Sequence, residues 1–164
     1  MLTVEFNGEA SRKAIRAAIE QLQDMTALYQ DIGEYMIAAT RQRFVTGQDP
    51  EGKAWAPKSQ GTLDRYKAMG YGNLSRPLIG PGKALSRQIV MFVAREGVVI
   101  GSSLIYAGVM QRGAAKGAFG TDSRGNSLPW GTIPARRWLG ISAADESAIV
   151  EIVEEALARD LEGE

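Results

Sequence analysis

The stretch RFVTGQDPEGKAWAP, residues 43–57, decides how the first half of the chain is organised. Phe44 closes an apolar pattern of helical spacing, and Asp49-Pro50-Glu51-Gly52 has the residue types of a tight turn. The turn delivers Trp55 between two small residues, shortly before Pro57. A rigid aromatic side chain in such a place packs or binds and rarely catalyses. We therefore expect residues 43–57 to serve in assembly or packing and not in catalysis.

Length and composition predict one folded domain over residues 1–164. The chain has 164 residues, 45% of them hydrophobic and 23% charged, which is ordinary for one globular domain. It has no cysteine, so disulfides and thiolate chemistry are not expected and an intracellular origin is the simpler interpretation. No apolar run approaches the ~18 residues of a membrane span. We expect a soluble protein with no membrane partner.

Histidine is absent as well, which removes the usual general base and a very common metal ligand. Carboxylates remain at helical spacing, Glu20 with Asp24 and Asp31 with Glu34. They fall on an amphipathic helical pattern, where such side chains are usually solvated, and their spacing says little about a cleft. We predict no catalytic residue and no metal site.

Two glycine-rich segments fail as nucleotide sites. In Gly80-Pro81-Gly82-Lys83-Ala84 the lysine follows a glycine as in a phosphate-binding loop. However, Pro77 stands where the first glycine belongs, and Ala84 where the metal-binding hydroxyl belongs. The glycines of residues 113–120 do not keep dinucleotide-binding spacing. We therefore predict no cofactor.

The zero net charge hides a strong asymmetry along the chain. Residues 1–39 carry three basic and six acidic side chains, residues 40–142 fifteen basic and five acidic, and residues 143–164 one basic and eight acidic. Acidic terminal helices beside a basic sheet would neutralise it within one subunit. Alternatively, the opposite charges join neighbouring copies head to tail, or the basic middle faces a nucleic-acid backbone.

The pattern of apolar residues predicts a short edge strand at residues 2–6 and a helix that begins near Ser11 and closes at Phe44. A continuous helix of that length would measure about 50 Å, which is more than a domain of this size needs. It therefore either breaks near residues 24–26 or protrudes. Gly33 is a second weak point.

The rest of the chain completes an α+β fold. We expect a small antiparallel β-sheet packed against the long N-terminal helix and a C-terminal helix, with long loops at about residues 46–84 and 113–131. Within the first loop, residues 63–69 are expected to form one helical turn. The second loop is polar, glycine-rich and expected to be mobile.

The predicted sheet consists of one β-hairpin. Its first strand, residues 88–94, is apolar on both faces, Glu96-Gly97 forms the turn, and residues 98–101 return. One face should meet the helices and the other a second layer or another subunit. A short helix or turn follows at residues 104–112, and residues 133–139 have a strand-like character. Ser142 with Asp145 three residues later marks the start of the last helix.

Several motifs occur in a fixed order along the chain. They are Asp-Pro-Glu-Gly-x-x-Trp at residues 49–55, then Val99-Ile100-Gly101, Tyr106-Ala107, Gln111 with Gly113, and Pro-Ala-Arg-x-x-Leu-Gly at residues 134–140. Over residues 28–157 this order resembles the phage virion morphogenesis family, which includes tail completion proteins of Mu-like and related tailed phages. The chain departs from the family pattern at Met110, where a histidine is common, and at residues 136–138, which are bulkier than the usual Arg-Pro-Phe type.

The resemblance implies a structural virion protein that completes or terminates the tail, or joins the tail to the head, with no catalytic residue. It implies a homo-oligomeric ring, six-fold, of copies of this chain. The implied partners are the tail tube and the neck or head-completion proteins, with passing contact to DNA in the channel. The implied location is the tail or neck of the virion, and the host cytoplasm during assembly.

Six residues are the candidates for assembly or packing: Phe44, Trp55, Tyr106, Arg136, Arg137 and Trp138. The two tryptophans suit a domain core and a subunit interface equally well. The two arginines either clamp a carboxylate on the acidic terminal helix, which we favour because guanidinium matches that planar group, or face DNA. Tyr106 is expected to pack beneath the hairpin.

Two functions of other classes remain open from sequence. A nucleic-acid-binding adaptor would use the basic middle to contact phosphates, and its binding would depend on salt. A carboxylate-dependent cell-wall hydrolase is the less favoured alternative, and it would lose activity when the acidic residues of the first helix are replaced.

Overall fold

The structure, a computed structural model, describes residues 25–162. The predicted strand at residues 2–6 and the part of the predicted first helix that precedes residue 25 lie outside the described residues. The elements are α1 (Thr26–Thr46), α2 (Gln60–Ala68), α3 (Ala84–Arg87), β1 (Val90–Ala94), β2 (Gly97–Gly101), α4 (Ala107–Arg112) and α5 (Ala143–Glu162). The α+β prediction is confirmed, since a two-stranded antiparallel sheet and the C-terminal helix α5 both pack against α1.

Helix α1 ends slightly later than its apolar pattern predicts. It continues to Thr46, and Gly47 closes it in the left-handed conformation with φ of 73°. The Gly47 N–H donates to the carbonyl oxygen of Arg43 at 2.7 Å. This ending satisfies a carbonyl that the helix itself leaves free, and glycine adopts it without a steric penalty.

The hairpin forms as predicted, with its turn one residue earlier. Strands β1 and β2 pair from Val90 with Gly101 to Ala94 with Gly97, so that Arg95-Glu96 makes the turn. The inner face lies on α1 at Gly33. A Cβ atom there would come within 2.9 Å of Val98 Cγ2 and would also press on the Met91 sulfur. Gly33 is thus a point of close approach between helix and sheet.

The outer face of the hairpin stays open in this protomer. Phe92 is 62% exposed and Val90 50% exposed. Neither side chain is covered by a second layer, although both alternate with residues that face α1. The prediction that one face meets the helices is confirmed, and the second face is open within this protomer.

The start of α5 is the best predicted boundary of the chain. The Asp145 backbone N–H donates to Ser142 Oγ at 3.1 Å, and the Ser142 backbone N–H donates to Asp145 Oδ2 at 2.7 Å. This reciprocal pair is a capping box. Downstream, Ile149 and Val153 are buried on the side of α5 that packs against α1.

Both long loops contain more structure than predicted. In place of one helical turn, α2 spans nine residues and starts after Ser59, whose side chain accepts a hydrogen bond from the Thr62 N–H. Residues 113–131, predicted as a mobile loop, form a hydrogen-bonded ribbon. Phe119 N–H donates to Leu128 O at 2.7 Å, and Leu128 N–H donates to Gly120 O at 2.8 Å. Backbone hydrogen bonds between the two sides of the ribbon therefore organise this segment despite its glycines.

The predicted strand at residues 133–139 is wrong. The segment makes one isolated bridge, Ala114 with Ile133, and then runs extended without a partner strand. Pro134 has no N–H to continue a ladder, and the Arg136 N–H instead donates to Met110 O on α4 at 2.8 Å. The segment serves as a strap that carries Arg136, Arg137 and Trp138 across the core.

Candidate assembly site

The turn after α1 positions Trp55. Asp49 and Lys53 exchange hydrogen bonds across it, with Asp49 N–H donating to Lys53 O and Lys53 N–H donating to Asp49 Oδ1, both at 2.8 Å. The Trp55 backbone N–H donates to Gly47 O at 2.9 Å, on the other side of the turn. The predicted turn is confirmed, and it directs the indole inward.

Three of the six candidate residues form one aromatic cluster. The Phe44 ring lies 5.2 Å from Trp55 in an edge-on arrangement and 6.2 Å from Trp138. All three are buried, Trp138 to 1% exposure. The indole N–H of Trp55 donates to Arg137 O at 3.0 Å and that of Trp138 to Ala107 O at 3.1 Å. Both tryptophans therefore lie in the core of their own protomer, with their polar atoms satisfied.

Gln111 holds the strap against α4. Its Oε1 accepts the N–H groups of Trp138 at 2.9 Å and Leu139 at 3.0 Å, and its Nε2 donates to Leu139 O at 2.7 Å. The amide thus replaces a missing strand partner for buried backbone groups. In the sequence Gln111 stood out only as part of a motif.

A buried ion pair connects the end of α1 to the start of α5. Arg43 Nη2 contacts Asp145 Oδ2, and Arg43 Nη1 donates to Gly140 O at 2.8 Å. Asp145 Oδ1 also accepts from the Tyr35 hydroxyl at 3.1 Å. Burial first, and then the Asp145 carboxylate, raise the pKa of Tyr35. Asp145 therefore serves as helix cap and counter-ion together.

The predicted clamp between the strap arginines and the terminal helix is wrong. Arg136 donates from Nε to Ala56 O at 2.7 Å and from Nη2 to Pro57 O at 2.8 Å. Arg137 forms an exposed ion pair with Glu51 at 2.8 Å. The strap runs beside the turn that precedes α2, so these arginines meet the turn. Arg43, on the last turn of α1, is the arginine that reaches α5.

Tyr106 does not pack beneath the hairpin as predicted. It precedes α4, is 38% exposed, and lines a groove of about 730 Å³ between α2, α3, α4 and the strap. Lys58 and Arg136 lie in the same groove. This groove is called the cationic groove below.

Lys58 is a residue of the cationic groove that the sequence analysis did not identify. Its ammonium donates to Leu74 O at 2.5 Å and Ile79 O at 2.6 Å, and it lies 4.9 Å from the centre of the Tyr66 ring. Burial lowers the pKa of Lys58, and the nearby Arg136 cation lowers it further. Both acceptors are neutral carbonyls, and the segment that carries them is remote along the chain, which is why no local pattern marked Lys58.

Few ion pairs join the basic middle to the acidic ends among the residues that the structure describes. Within residues 25–159, the ion pairs are Arg43 with Asp145, Arg137 with Glu51, and Arg159 with Asp31. The first alone joins the basic middle to an acidic end of the chain. Within residues 25–159, ion pairing in one subunit therefore joins a single basic residue of the middle to an acidic end.

Among the described residues there is no cluster of His, Cys, Asp or Glu suited to a metal ion. Within the same part of the chain, every helix is too short or too polar to cross a bilayer.

Comparison with known proteins identifies the family. The model of the phage virion morphogenesis family matches residues 6–158, nearly the whole chain. No curated protein and no solved structure matches it significantly. The matched range includes the turn with Trp55, the strap with Trp138 and the capping box of α5. The chain belongs to the phage virion morphogenesis family and is a virion-associated structural protein.

Proposed function

We propose that this protein completes the tail, or joins tail to head, by assembling into a six-fold ring of identical subunits. The observation that carries the proposal is the separation of charge along the chain. Fifteen basic and five acidic side chains lie in residues 40–142, and a single buried pair connects them to an acidic end within the described residues. Opposite charges on separate surfaces of one subunit favour contact between copies.

Such a contact is heterologous, since the acidic surface of one copy meets the basic surface of the next. Heterologous contacts close into rings when the rotation between copies allows it. Among residues 143–159 of α5, the exposed acidic side chains are Glu151, Glu154 and Glu155. No ion pair within residues 25–159 occupies them.

Exposed apolar side chains supply further contact area. Phe92 on the outer hairpin face is 62% exposed, Trp130 on the ribbon 68%, and Ile105 before α4 97%. Aromatic side chains are enriched at protein–protein interfaces relative to the rest of the surface. They suit contacts with the tail tube, with neck proteins or with the adjacent subunit.

The direct experiment removes the protein from the phage. An amber mutation in its coding region is expected to give heads without joined tails, or tails of uncontrolled length, in electron micrographs of the lysate. Supplying the wild-type chain from a plasmid should restore infectious particles. Normal particles without the chain would contradict the proposal.

A second experiment tests the ring itself. Native mass spectrometry and sedimentation of the purified protein, alone and with tail proteins, are expected to show a closed oligomer that dissociates at high salt, since salt screens exposed charges. A strict monomer under every condition would contradict ring assembly. Salt-dependent DNA binding by that monomer would favour the adaptor alternative instead.

A further inference from the structure

The cationic groove has a lining suited to protein. Its apolar part includes prolines, tyrosines and aliphatic side chains, among them Pro57, Tyr66, Leu78, Pro81, Tyr106 and Pro134. Rigid rings of this kind offer contact area at little cost in side-chain entropy. The volume of about 730 Å³ holds several side chains of a partner but not an entire helix. A ridge of side chains is therefore a fitting occupant.

The charge of the groove is positive and has no counter-ion in its lining. Lys58, Lys83 and Arg136 line it, and no carboxylate does. Lys58 and Arg136 bind only neutral carbonyl oxygens. Lysine has three N–H donors and arginine five, so both retain donors that these bonds leave free. Arg136 is 8% exposed, and burial lowers its pKa.

Two neighbouring cations without a carboxylate favour an anionic partner. Where this chain pairs a buried arginine internally, at Arg43, it provides Asp145. Among the described residues of its own protomer, none brings such a carboxylate into the groove. Helix α5, with its acidic face, packs on α1 and does not line the groove. A carboxylate from a second molecule would supply the charge that the described residues of the protomer do not bring to the groove.

We infer that the cationic groove receives the acidic face of α5, at Glu151, Glu154 and Glu155, from a second copy of the chain. The inference rests on the proposed ring and names its contact. These glutamates are exposed and lie within about one helical turn of each other. They equal the three cations in number and are opposite to them in sign. The apolar lining favours a helix over nucleic acid, whose phosphates need little apolar contact.

The first test reverses the charges. Lys83 is exposed at the groove rim, so Lys83→Glu changes the groove without removing a core contact. Lys83→Glu and Glu154→Lys are each expected to weaken self-association about ten-fold or more, and the double variant to regain most of it. Arg95→Glu, an exposed charge reversal at the hairpin turn outside the groove, serves as the matched control and should assemble normally.

The second test uses the absence of natural cysteine. A mixture of Lys83→Cys and Glu154→Cys chains, oxidised mildly, is expected to form a disulfide between subunits. Because each chain carries one cysteine, a bond between the two variants can form only between copies. Each variant alone, and Arg95→Cys mixed with Glu154→Cys, should yield little cross-linked product.

The outcomes separate the inference from the proposed function. Normal assembly and no cross-link in the groove variants, with an assembling wild type, would overturn the inference and leave the ring intact. A wild type that never self-associates would overturn the ring, and the inference with it. Loss of DNA binding in Lys83→Glu with unchanged assembly would show that the groove binds phosphate and would overturn the inference alone.

Discussion

Two buried arginines illustrate two ways of burying a cation. Arg43 lies between α1 and α5, against Asp145 and Gly140 O. Arg136 lies on the strap, against Ala56 O and Pro57 O. Their exposures are 7% and 8%, so burial does not distinguish them. The acceptors do, because one is an ionised carboxylate and the other two are neutral carbonyls.

The difference in acceptors indicates which of the two arginines stabilises the fold. At Arg43 the chain provides both charges, and the pair connects its two longest described helices. At Arg136 the positive charge remains after the hydrogen bonds are made, next to Lys58 and an open groove. We interpret the first as structural and the second as a place where a partner completes the electrostatics.

The largest expected effect comes from removing Arg43. Arg43→Met leaves Asp145 buried without its counter-ion, and breaking a buried pair on one side typically costs about 3–5 kcal/mol. The free energy of unfolding, measured by urea titration, should fall by that amount. Arg41→Met, exposed on the same helix, is the control and should change stability little. Equal losses in the two variants would contradict a structural role for the pair.

Disturbing the strap should have the next largest effect. Gly113 has φ of 75°, and a Cβ there would come within 2.6 Å of Ile133 O and 2.7 Å of Ala135 N. Gly113→Ala is expected to cost about 2–4 kcal/mol, through backbone strain and overpacking together.

Gly120→Ala separates these two causes. Gly120 also has a positive φ, of 86°, but nothing lies within 4 Å of the position that a Cβ atom would take there. Its substitution should cost about 1 kcal/mol from backbone strain alone. Urea titration of both variants measures the difference, and a Gly113→Ala protein as stable as Gly120→Ala would contradict the close approach of strap and α4.

The two arginines of the strap come last, and Arg137 has the smallest expected loss. Arg136→Met leaves two neutral carbonyls without a donor, which should cost about 1–3 kcal/mol and less than Arg43→Met. Arg137→Met removes an exposed pair with Glu51 and should cost at most about 1 kcal/mol. If Arg136→Met proves as costly as Arg43→Met in urea titration, the distinction between the two buried arginines fails.

Local patterns predicted the elements whose causes are local. The capping box at Ser142 and Asp145, the apolar hairpin and the turn before Trp55 follow from residues a few positions apart. The strand prediction for residues 133–139 is wrong because strand-like composition does not reveal whether a partner strand exists. The prediction for Tyr106 is wrong for the same reason, since the groove that it lines is built from distant segments.

The sequence by itself determined the α+β class, the family and the separation of charge along the chain. Composition, periodicity and motif order depend only on the order of residues, so they can be determined without knowing which segments meet. The tertiary structure alone decided that Trp55 and Trp138 face their own core and that Arg43, not Arg136 or Arg137, pairs with the last helix. Which cation pairs with which carboxylate depends on the distance between segments in the folded protein. Arg43 and Asp145 are 102 positions apart, and the local sequence around each does not indicate that distance.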